Sequence, residues 1–226
     1  MKLTPVLSSS IAAIRWTLNA PPMYFESNEK MEEIRKEACH PLLRDLDPND
    51  WIQRVLTALV LLGNGYTDEA HNLVVPLSWP QDTPYGLGPV VYEHVEPTTR
   101  RLASYTHALV HRHEGGHIGE FGMVGWMNAN YWSSATHKAD GDLPNRELAL
   151  HVGALVHDRP ELDEDMKADL RDEEFFESRA VHEICRTIGG KLAERLAETE
   201  LRVLLAFALQ RAGYECTTEE ILALRK

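Results

Sequence analysis

Cysteine is scarce. Cys39, Cys185 and Cys216 lie far apart with no CxxC spacing, which excludes a disulfide framework and a cysteine-based zinc site. Three isolated thiols suit a reducing compartment, each as a small buried hydrophobe. Long apolar runs are missing too: nothing approaches the roughly 18 consecutive apolar residues of a membrane helix. The opening MKLTPVLSSSIAAIRW is faintly signal-like, but Pro5, three serines and Arg15 break it. Neither export nor membrane insertion is expected, and a cytoplasmic location is. Positive charge is short, with 23 Lys and Arg against 35 Asp and Glu, and the net −12 excludes general affinity for nucleic acid or anionic membrane. The strings G-x-G-x-x-G, G-x-x-x-x-G-K-[ST] and G-x-S-x-G do not occur, so no nucleotide cofactor is expected. No run of alternating strands appears either.

What remains is helical spacing. The expected fold is all-α: residues 1–226 form a single-domain helical bundle with αα-hairpins, faintly tetratricopeptide-like, and long Pro/Gly-rich loops. Residues 1–25 suggest a weakly ordered lead, followed by a helix over about 28–38. Asp47-Pro48 carries a helix-start signal, and Trp51, Val55, Ala58, Leu59 and Leu62 form a stripe that Gly63-Asn64-Gly65 stops. Thr67 restarts a helix expected to close before Pro76. Six prolines and glycines make 77–97 a long loop, with a short strand at Val90-Val91-Tyr92. A central helix from Thr98 or Thr99 to Glu114 ends at Gly115-Gly116, since two glycines inside a helix cost about 2 kcal/mol relative to alanine. Residues 115–125 form a glycine-rich loop before a helix near 126–134. The stretch 158–172 is acidic and suits a solvated connection. Helices 175–188 and 191–211 flank Gly189-Gly190, and Thr217 with Glu220 makes a capping box.

The chemistry concentrates between Ser104 and Trp132, which holds four of the eleven histidines. At about 100° per residue, His107, His111 and Glu114 share one face of the central helix, while His113 and His117 lie on another. Two neutral imidazoles and a carboxylate could bind a divalent metal (Zn, Fe or Mn) with positions open to substrate. They could equally serve as general acid and base without metal. His71, one helix earlier, is the expected fourth member, with Asp68 or Glu69 beside it, and His182-Glu183 could add ligands. Arg112 could orient an anionic substrate. Asn128, Tyr131 and Trp132 share a face at i, i+3, i+4, and with Trp126 they could wall a small-molecule pocket.

His113-Glu114-Gly115-Gly116-His117 also spells H-E-x-x-H, the zinc peptidase string. Two glycines stand where its helix must continue. The longer pattern fails as well, with Glu120 in place of its glycine and Met123 in place of its third histidine.

Together, Ser104-Tyr105, His107, His111-Arg112, Glu114, Asn128-Ala129 and Tyr131-Trp132 resemble the motif of an uncharacterised all-helical family of bacterial and fungal proteins. Asp68-Glu69-Ala70-His71 is similar to that family's acidic-plus-histidine helix, and 181–185 and 200–212 are distantly similar to its C-terminal helices. The glycine-rich segment between Glu114 and Asn128 is longer here. The resemblance implies no activity, but it puts weight on His107, His111 and Glu114.

The resulting expectation is a small-molecule enzyme of hydrolase, lyase or isomerase type. His107, His111, Glu114, Arg112 and Tyr131 would be catalytic, with Asn128, Trp126 and Trp132 at the substrate and His71, His107, His111 and Glu114 at a metal. A homo-oligomer is compatible with this. The competing readings are a non-catalytic helical-hairpin interaction module and the zinc peptidase.

Overall fold

The structure, a computed structural model, describes residues 1–18, 50–79, 89–117 and 124–224. Among them eleven helices form an all-α fold, and no helix is long and apolar enough to cross a membrane. The helix expected at 28–38, the Asp47-Pro48 signal and most of the glycine-rich loop lie outside the described residues.

Two buried helices form the centre: α5 (Pro97–Glu114) and α10 (Gly190–Arg211). The hairpin of α2 (Trp51–Gly63) and α3 (Thr67–Ser78) packs on α5, and α2 also meets α10. On α5 also lies α6 (Gly125–Lys138), joined to α10 through α9 (Ser178–Thr187). The outer helices α7 (Asn145–Gly153) and α11 (Thr218–Ala223) pack on α10, while α8 (Glu164–Asp169) rests on α9. The capping box of Thr217 and Glu220 starts α11 as expected.

Several elements depart from the expectations. The lead is not loose up to Ala12. Thr4 accepts from the Leu7 N–H and Pro5 opens α1 (Pro5–Ala12), which places Leu7, Ile11 and, beyond it, Ile14 and Trp16 in the core. Asp50 caps α2 by accepting from Gln53 N. Val90-Val91-Tyr92 lies in the short helix α4 (Pro89–His94), not in a strand. The acidic 158–172 stretch contains α8 and buries Leu162 and Leu170.

The most consequential departure is α3, which continues through Pro76 to Ser78. A proline inside a helix removes one backbone hydrogen bond. Here Val74, Val75 and Leu77 are buried, and Ser78 Oγ donates to the Val74 and Val75 carbonyls at 3.0 and 3.2 Å. The extra turn carries Ser78 and Trp79 up against α5.

α5 starts on Glu96, whose carboxylate accepts from Thr99 N, with Pro97 in the first turn where it needs no donor. It stops at Gly115, where φ is +61°. α6 then crosses α5 at close range. A Cβ added at Gly125 would lie 2.6 Å from the His111 carbonyl oxygen, so only glycine lets the two helices meet there.

Candidate metal centre

His71 on α3 and His107 and His111 on α5 bring one ring nitrogen each to within 4.8 Å of one another. Spacing explains half of this, because His107 and His111 are one turn apart on a single helix. The α2–α3 hairpin supplies the third, and the His71 ring meets those of His107 and His111 edge-on at centroid distances of 4.7 and 5.2 Å. His107 and His111 point their Nε2 atoms at each other, 3.0 Å apart.

The outward nitrogens are held. His111 Nδ1 lies 2.6 Å from Glu114 Oε2, and His107 Nδ1 lies 2.9 Å from Ser78 Oγ. Glu114 therefore sits behind His111 and outside the converging nitrogens. Of the two partners expected beside His107 and His111, His71 joins the converging nitrogens and Glu114 does not. A histidine whose far nitrogen bonds a carboxylate or hydroxyl has its tautomer and ring orientation fixed, as metal-binding histidines do. Trp132 of α6 stacks on His107 at 4.0 Å and 24°, and Trp79 leans on Trp132 at 5.8 Å.

Burial, with His111 close by, lowers the His71 pKa to about 4. Burial also holds His107 well below its ordinary value. Both are neutral lone-pair donors at neutral pH, the state in which imidazole binds a metal.

Other expected site residues fall elsewhere. Arg112 is fully buried on the α10 side of α5. Its Nη1 donates to the Glu200 carboxylate, and Nη2 donates to the Ser178 carbonyl and Oγ at 3.1 and 2.9 Å. Tyr105 OH donates to Glu200 Oε1 at 2.7 Å. Arg112 thus ties α5 to α9 and α10 and does not face the imidazoles. Trp126 meets the buried His182 edge-on at 5.6 Å, away from the cluster. Tyr131 is 61% exposed and touches Trp132 by its edge. Asn128, half-buried, lies one turn before Trp132 on α6.

The peptidase string is not assembled. His113 Nδ1 is 3.0 Å from Thr67 Oγ1 and its ring packs against Trp16, while Glu114 serves His111. α5 ends at Gly115, so His117 is not one helical turn beyond His113.

No family model, curated protein or solved structure matches this chain.

Ser78 and Trp79 are the contributors that sequence reasoning missed. A signal for Ser78 was present: it follows His71 by seven residues, two helical turns on the same face. Pro76 concealed it by suggesting an earlier helix end. A second grouping, Glu147 and His151 on α7 with Glu219 on α11, lies at the surface with His151 Nε2 3.5 and 3.8 Å from the two carboxylates. The Glu219 side chain there is 68% exposed, and such ion pairs occur readily without a metal.

Proposed function

We propose that this chain is a metal-dependent enzyme acting on a small molecule, with His71, His107 and His111 as ligands and Glu114 and Ser78 as their outer partners. One observation carries the reading: three imidazole nitrogens converge from two helices while the far nitrogens of His107 and His111 are separately held. An all-nitrogen set suits Zn or Fe better than Mn, which favours oxygen donors. Three protein ligands leave a position for water or substrate, the arrangement of catalytic rather than structural zinc sites. Such a metal supplies Lewis acidity and lowers the pKa of bound water, which fits hydrolytic, lyase or isomerase chemistry. Glu114 would steady His111 and raise its basicity as a ligand.

The interaction-module reading keeps one supporting observation. Ser78, His107, His111 and Glu114 form a continuous hydrogen-bonded chain that satisfies those imidazoles by itself. Elemental analysis of tag-free protein separates the two. Near one Zn or Fe per chain is expected, lost in His71→Ala and His107→Ala and kept in His113→Ala. Protein prepared without chelator that carries no metal and takes up none on titration refutes the enzyme reading.

A further inference from the structure

The charges around the three imidazoles are few and one-sided. Imidazole ligates a metal in its neutral form, so a divalent ion held by His71, His107 and His111 would keep its full double charge. Among the described residues no carboxylate oxygen joins the three ring nitrogens within 4.8 Å, and Glu114 reaches the cluster only from behind, on the far nitrogen of His111. Glu69 precedes His71 by two residues, which turns it about 160° away around α3. Arg112, the nearest cation in sequence, is consumed by Glu200 and Ser178. A bound ion with Glu114 therefore carries one uncompensated positive charge.

That charge would sit where water screens it poorly. Among the described residues His107 and His111 are buried and Trp132 covers His107, which leaves the half-buried His71 as the open side. A buried net charge without a partner is costly, and a directly bound anion removes the cost. With Arg112 held by Glu200 and Ser178, the metal itself would be the anion receptor.

We propose that the open position takes a monoanionic oxygen donor, a small carboxylate or enolate, as substrate or co-ligand. This rests on the metal reading above. Hydroxide from solvent has the same chemistry and competes for the same place. Neutral donors of equal shape leave the charge uncompensated and bind poorly.

The test uses full-length protein loaded with cobalt(II), whose visible bands report its ligands, at pH 7. Acetate should shift the bands saturably, whereas acetamide, its neutral isostere, should leave them unchanged at the same concentration. Glu114→Gln, which removes the carboxylate bonded to His111, should tighten acetate by about threefold or more, as expected for loss of one nearby charge. Where hydroxide takes the position at higher pH, acetate affinity should fall about tenfold per pH unit, which identifies solvent as the competitor. The acetate–acetamide contrast in the unaltered protein decides the matter even if the variant holds cobalt poorly. One cobalt per chain with acetate and acetamide indistinguishable overturns the inference and leaves the metal site standing. Failure to bind cobalt overturns the metal site itself.

Discussion

Lowering the pH of metal-free protein from 7 to 5 should strip away a large part of its stability. Burial, the largest cause in each case, lowers the pKa of His71, His113 and His182 to about 4. In the unfolded chain each takes its proton near ~6.5. A base with a depressed folded pKa leaves stability intact above the unfolded value and removes it as pH falls toward the folded one. By pH 5 each histidine costs about 2 kcal/mol, about 6 kcal/mol for the three. His107, also held low by burial, adds to the loss. Glu69 works the other way: burial pushes its carboxyl up to about 7, so protonation on acidification favours the folded state. It returns at most about 2 kcal/mol, less whatever solvent screens. Burial raises Glu200 too, which acts in the same sense as Glu69. The net loss is about 4 kcal/mol, against roughly 5–15 kcal/mol for a typical domain. Urea unfolding in chelator at pH 7, 6 and 5, followed by tryptophan fluorescence, measures it. Glu69→Gln should steepen the decline. Stability at pH 5 equal to or above that at pH 7 would refute the reasoning.

Two further perturbations probe the frame around the site. Glu200→Leu leaves Arg112 charged and fully buried and should cost about 3–5 kcal/mol in urea unfolding, with Arg112→Met in the same chain recovering most of it; a single-variant loss below about 1 kcal/mol would contradict the role given to the pair. Gly125→Ala drives a Cβ into the His111 carbonyl and should cost about 1–3 kcal/mol. By shifting α6 it should also alter Trp132 fluorescence, and an unchanged spectrum at unchanged stability would show that the helices can separate freely.

How much of this could be read from sequence depends on range. The stripe that puts His107, His111 and Glu114 on one face is a property of one helix, and so are the stop at Gly115 and the capping box at Thr217. Those expectations agree with the structure. The division of labour among them is not local. Seven residues of helical spacing cannot say that His71 meets the ring nitrogens of His107 and His111 while Glu114 backs His111, because that depends on how the hairpin docks. Arg112 looked like a free cation because its partner Glu200 lies 88 residues later. The helical lead and the unbroken α3 escaped for a related reason: Leu7, Ile11 and Leu77 are buried by distant helices, and that burial outweighs the weak local signals of serine and proline.

α5 is buried on every side, and each side is used differently. Tyr105 and Arg112, two turns apart, face α10 and close on Glu200. His107 and His111 face α3, and His113 faces Thr67 and Trp16. A buried ion pair adds little net stability over an apolar core, but it penalises any rotation that separates its members. Turning α5 by one residue, about 100°, would strand the Arg112 charge and point the histidines away from α3 together. The residues that lie outside the cluster thus hold its imidazoles in register, as any cluster assembled from two helices requires.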